Sequence, residues 1–176
     1  MGWLDGDGIA VWAGAGRGVV SASGDGCYRI ITMFGRYVLK TTYILLAQAL
    51  GIEFEDDDTL PDLPAFNIAP TQTVPIVRAS SIGRELVGVR WGLVPSWSKD
   101  ISGSARMINA RCETAAIKPA FRQAMKGRRC LLPADGFYEW QRAGAAKQPY
   151  FVHRKDDGVF AFAGLWERWH DDAGHF

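Results

Sequence analysis

At 176 residues, with 48% hydrophobic and 12% aromatic side chains, the chain has the size of one ordinary domain and enough apolar surface to bury a core. Disorder across its bulk is excluded, and the longest mainly apolar run, Tyr43 to Leu50, falls far short of the roughly 18 residues that cross a bilayer as a helix. The net charge of +1 conceals segregation: residues 1–66 hold four Lys/Arg against nine Asp/Glu, residues 67–155 fifteen against five, and residues 156–176 one against five. Ten of the fifteen central cations are Arg, whose guanidinium fork matches phosphate and stacks on bases. That block points to a polyanion surface, while scattered solvated charges would give the same total.

The first 32 residues contain eight glycines and follow neither a period of 2 nor one of 3.6. The run Gly14 to Gly18 (G-A-G-R-G) has no credible strand before it, which a phosphate-binding loop requires. Residues 1–32 are therefore expected to form a flexible or spurious leader, and residues 33–176 the domain. From Phe34 onward, short strands alternate with turn signals. Thr41 or Thr42 caps a predicted helix running to Leu50, with Tyr43, Leu46, Ala47 and Leu50 on one face and Gly51 as the stop. An acidic loop, Glu53 to Asp62, follows. Thr73–Arg78 and Arg84–Trp91 then flank the turn Ser80-Ser81-Ile82-Gly83 as a hairpin, with Val87, Val89 and Trp91 on one face. A second helix is predicted over Glu113–Met125, divided by Pro119. Strands follow at Arg129–Leu132, Phe137–Gln141, Pro149–His153 and Val159–Leu165, and their hairpin-sized gaps predict a mostly antiparallel α+β domain. Six residues after His170 the chain ends without a closing helix or strand, so the domain is expected to be incomplete at its C-terminus.

Asp5 and Asp7 stand where a signal peptide needs positive charge, so the expected compartment is the cytoplasm. Cys27, Cys112 and Cys130 are odd in number and lack C-x-x-C spacing, which predicts reduced thiols. Three histidines offer no metal constellation, and no cofactor is expected.

Four dense segments join backbone-special residues to polar groups: Phe66 to Gln72, Trp91 to Trp97, Ile108 to Thr114, and Cys130 to Trp140. Glu139, between Tyr138 and Trp140, admits two readings. Desolvated on an apolar strand, its carboxyl would rise in pKa and suit acid/base work; by simple alternation it would lie on the wet face with Tyr138 and Trp140 inward. Asn109 and Arg111 share a face if extended, offering an amide to orient a substrate and a cation for phosphate, or else a turn cap and a partner for Glu113. Trp97, next to Ser98 and Lys99, is either a base-stacking ring or a loop anchor.

These segments, from Met33-Phe34-Gly35-Arg36-Tyr37 to Phe162-Ala163-Gly164-Leu165-Trp166-Glu167, resemble the SOS response-associated peptidase (SRAP) family of abasic-site-processing proteins, motif after motif in the family's order. The resemblance implies an α+β fold of mostly antiparallel sheets around a barrel-like core with a few short helices. It also implies a monomer that binds single-stranded DNA at abasic sites in the SOS response and crosslinks to it, with self-processing peptidase activity. Family roles fall on Glu139 as acid/base, Asn109 as the orienting amide, Arg36 and Arg111 as DNA contacts, and Pro70 and Trp97 against the flanking bases. The family's nucleophilic cysteine, which would close a thiazolidine on the sugar aldehyde, corresponds to Phe34, which has no nucleophile. Its histidine in a His-x-Arg-Met-Pro-like stretch has no counterpart, because His170 and His175 lie too close to Trp166. Two other readings stand beside this one: a catalytically silent single-stranded DNA-binding module, and a cysteine hydrolase built on Cys112 with His153.

Overall fold

A computed structural model describes residues 7–13, 34–54, 57–81, 83–144 and 146–170. The Gly14–Gly18 run, Cys27, Met33, Ile82 and His175 lie outside them. Among the described residues the elements are β1 (Asp7–Ala13), β2 (Tyr37–Leu39), α1 (Tyr43–Leu50), β3 (Ala65–Ile68), β4 (Thr73–Ser80), β5 (Gly83–Trp91), β6 (Asn109–Arg111), α2 (Cys112–Ala115), α3 (Arg122–Gly127), β7 (Arg129–Ala134), β8 (Gly136–Ala143), β9 (Ala146–His153) and β10 (Phe160–Arg168).

The strands form two sheets. One has the order β10-β7-β4-β5-β1-β6, and β1 also pairs with β10, so hydrogen bonds run from β10 through its neighbours and back. The other has the order β3-β2-β8-β9. Pairing is antiparallel except where β1 meets β5 and β6. The fold is thus α+β with mostly antiparallel strands, and the two sheets remain separate instead of merging into one closed barrel. No helix among the described residues is long and apolar enough to cross a membrane.

Alternation explains how the sheets face each other. Val87, Val89 and Trp91 of β5 share a side, and with Val74 and Ile76 of β4 and Leu132 of β7 they meet Tyr37, Leu39, Ile68 and Phe137 of the smaller sheet in the main core. Behind the larger sheet, Ala10, Leu93, Ala110 and Leu165 pack with Ala115, Phe121 and Ala124 of the helical segment. Pro119 does divide that segment into α2 and α3. Thr42 precedes α1 and Gly51 ends it at φ 62°, with its N–H on the carbonyl of Gln48. Gly88 is required by contact: a Cβ there would lie 1.9 Å from the Thr59 carbonyl oxygen, and Thr59 Oγ1 accepts its N–H at 2.9 Å.

The segment preceding Gly14 carries a strand that the sequence pattern does not announce. Gly8 and Ala10 of β1 are buried, and a Cβ on Gly8 would come within 2.7 Å of the Gly92 carbonyl oxygen. Residues as small as Gly8 and Ala10 give a strand little hydrophobic alternation. The short strands β2, β3 and β6 are likewise additions to the expected elements, since three or four residues are too few to establish a period.

Buried Asp135 ties the two sheets to α1. Its carboxylate accepts the N–H groups of Lys40 and Thr41 at 2.6 and 2.9 Å and the Thr41 hydroxyl at 2.6 Å, while its own N–H donates to Val38. Asp135→Ala strands these donors and is expected to destabilise the fold by about 2–4 kcal/mol in urea unfolding, against about 1 kcal/mol for Thr41→Ala.

Candidate functional site

Phe34 enters the core as the chain approaches β2. Its ring is 2% exposed, stacks on Phe162 at 4.3 Å between centroids, and meets Trp91 and Phe137 at 5.6 Å each. β6 comes alongside because Trp91 Nε1 donates to the Ile108 carbonyl at 3.1 Å. Asn109, the next residue, donates from Nδ2 to the Phe34 carbonyl at 3.0 Å, and its Oδ1 is buried without a partner.

Glu139 reaches the same stretch through the smaller sheet. Tyr37 pairs with Phe137 and Val38 with Gly136, and the Tyr138 N–H donates to the Arg36 carbonyl at 2.9 Å. This register sets Glu139 alongside Gly35. Phe137 is buried whereas Trp140 is 42% exposed, so Glu139 lies on the core-facing side of β8 and the arrangement with Tyr138 and Trp140 inward is not adopted. Burial pushes its carboxyl above the ordinary range, a Trp140 backbone hydrogen bond offsets this in part, and Oε1 is buried without a partner. The Asn109 amide thus bonds Phe34, and the strand register, continued by one residue, brings Glu139 level with Gly35.

The other expected residues surround this stretch unevenly. Arg36 follows it directly and donates from Nη1 to Asn67 Oδ1 at 2.9 Å. Arg111, two residues beyond Asn109, is exposed where β6 turns into α2. Pro70 stands in a turn whose next residue, Thr71, holds a left-handed φ of 73°. Thr71 donates to Trp91 O at 2.7 Å, Trp91 N donates to Gln72 O at 2.9 Å, and Arg90 Nη1 donates to Thr71 O at 3.0 Å. A threonine at positive φ costs about 1–3 kcal/mol and persists only where its surroundings hold it. Trp97 is 65% exposed on the turn Pro95–Ser98, which Trp169 pins by donating from Nε1 to Ser98 O at 2.7 Å. Among the described residues no ring contact or hydrogen bond joins Trp97 to Asn109 or Glu139.

Arg90 and Trp169 support the site without being singled out by the sequence. Nothing in the sequence marks Thr71 as left-handed, since Asn or Gly is the usual occupant there. The residues of the hydrolase alternative sit on different sheets: His153, with Nδ1 2.9 Å from Asp157 and its ring on Phe151, ends β9 of the smaller sheet, while Cys112 opens α2 after β6 of the larger one. Burial pushes the Cys130 thiol up to about 12, which keeps it protonated. No group of three metal-ligating side chains is present among the described residues.

Two stability measurements test this geometry. Burial raises the folded-state pKa of Glu139 above its unfolded value, so the native chain holds the extra proton and loses stability as pH rises between the two. Glu139→Gln is accordingly expected to raise the melting temperature near about pH 8 by more than near about pH 4. Phe34→Cys removes a ring from the core and is expected to cost about 3 kcal/mol in chemical unfolding.

Comparison with known proteins gives the family. The family described as SOS response associated peptidase (SRAP) matches residues 33–176. The abasic site processing protein YoqW of Bacillus subtilis is 37% identical over 147 residues, covering 81% of this chain and 64% of the relative. The abasic site processing protein HMCES of Gallus gallus is 39% identical over 102 residues, covering 51% of this chain and 30% of the relative. A crystal structure of a Bacteroides thetaiotaomicron protein superimposes with a TM-score of 0.67 at 27% identity, over 80% of this chain and 63% of the other. The chain thus spans less than two thirds of the length of these relatives. With the family matched from residue 33 through residue 176, this chain belongs to the SOS response associated peptidase (SRAP) family.

Proposed function

We propose that the chain processes abasic sites in single-stranded DNA, as a monomer on the nucleoid during the DNA-damage (SOS) response. In this reading Glu139 transfers protons, Asn109 orients the reacting groups, Arg36 and Arg111 contact phosphates, and Pro70 and Trp97 press on the bases beside the lesion. The observation that carries it is the pairing of an underhydrated carboxyl with a half-satisfied buried amide on one backbone stretch. Relatives described as abasic site processing proteins support the lesion as the substrate.

The ring-opened abasic sugar is an aldehyde. Self-processing hydrolyses the Met33–Phe34 bond with one water and frees the Phe34 amine. Its nitrogen adds to the aldehyde carbon, Glu139 supplies the proton that carries the hydroxyl away as water, and an imine joins protein to DNA. The Glu139 carboxylate so formed takes the proton next to the imine carbon, and the electron pair released expels the 3′-phosphate by β-elimination and cleaves the strand. Without a thiol at position 34 the imine is not trapped as a thiazolidine.

A second reading, single-stranded DNA binding without chemistry, is favoured by the burial of the Phe34 ring, which gives position 34 a packing role. Incubation with an abasic single-stranded oligonucleotide, with and without borohydride to reduce an imine, decides between them on denaturing gels. A borohydride-dependent, heat-stable band is expected from the first reading. Only a salt-sensitive shift on native gels leaves the binding module, and no shift at all overturns both.

A further inference from the structure

The face of β8 and β9 turned away from Glu139 carries a row of aromatic rings. Alternation that sends Phe137 and Glu139 to one side of β8 sends Tyr138, Trp140 and Arg142 to the other, directly across from Phe151, Pro149 and Lys147 of β9. His153 stacks on Phe151 at 5.2 Å, Phe151 meets Tyr138 at 5.4 Å, and Tyr138 meets Trp140 at 6.4 Å. The Phe151 ring lies across Gly136, where a Cβ would come within 2.4 Å of it. Trp140 and Phe151 nonetheless remain 42% and 44% exposed.

The row ends in charge. Arg142 and Lys147 stand opposite each other near the hairpin turn, both exposed, and neither forms an ion pair with a described residue. Like charges directly across a sheet repel, and a bound anion relieves that repulsion. At the other side, Arg36 lies across from Tyr138, so the row continues from the stretch that holds Phe34 and Gly35.

We propose that this strip holds a single-stranded flank of the DNA beyond the lesion, an inference that rests on the DNA reading above. Bases stack on Tyr138, Trp140 and Phe151, and phosphates lie on Arg142 and Lys147. Rings flanked by two facing cations match a chain of bases joined by phosphates, and the ring faces accept any base.

Affinity of the whole chain is measured for a short abasic oligonucleotide and for the same oligonucleotide extended by about eight nucleotides on its 5′ or its 3′ side. One extension is expected to tighten binding about tenfold or more. Arg142→Ala with Lys147→Ala, and separately Phe151→Ser, are expected to remove that gain and leave the short oligonucleotide's affinity unchanged. The double variant also lowers the salt dependence of the extended complex, by about 0.7 in log–log slope for each phosphate it no longer neutralises. The proposal is overturned if the short oligonucleotide binds and neither extension helps, or if the gain survives in both variants. A dimeric mass in light scattering that falls to a monomer in Phe151→Ser assigns the strip to a second copy and overturns it as well. If wild type binds neither oligonucleotide, the DNA reading itself fails.

Discussion

The pairing of β2 with β8 is only a few residues long, yet the geometry of the candidate site depends on it. Because Tyr37 faces Phe137, the chain preceding β2 runs along β8 and sets Gly35 beside Glu139. A slip of one residue would turn Glu139 outward and Tyr138 into the core. Two features oppose that slip. Phe137 and Tyr37 are both buried in the main core, and Asp135, just before β8, is bonded to the backbone that follows β2.

Several features near this pairing would be costs in a merely well-packed protein. The carboxyl of Glu139 is partly buried and has an oxygen without a partner, as does the amide of Asn109. Thr71 holds a left-handed backbone, and Arg90, whose Nε is also buried without a partner, supports its carbonyl. Trp91 links the Thr71 turn, which it bonds through its backbone, to the Asn109 strand, which it bonds through its indole, and its ring packs on Phe34. Strain and unsatisfied polar groups gathered around one residue are what a site built for a ligand presents, since a ligand can supply the missing partners.

Position 34 distinguishes this chain from the pattern its resemblance implies. A phenylalanine there joins an aromatic cluster with Tyr37, Trp91, Phe137 and Phe162, and rings at such separations add stability beyond their buried area. The same residue offers its carbonyl to Asn109. The backbone at this position thus remains within reach of the amide while the side chain belongs to the core.

Much was legible in the sequence where a signal repeats or punctuates. The β4–β5 hairpin followed from alternation, α1 from its period and Gly51, the break between α2 and α3 from Pro119, and the family from motifs spread along the chain. Residue types suited to proton transfer and phosphate contact could be named there too. Which way Glu139 faces was open, because a strand pattern of Phe-Tyr-Glu-Trp supports either side, and only the pairing of Phe137 with Tyr37 chooses. Strand β1 was invisible because buried Gly8 and Ala10 are too small to mark a period, and the supports at Arg90 and Trp169 were invisible because they act across long separations in the chain. Local order is written in neighbouring residues, whereas the facing of a side chain is decided by partners that only the folded sheets bring near.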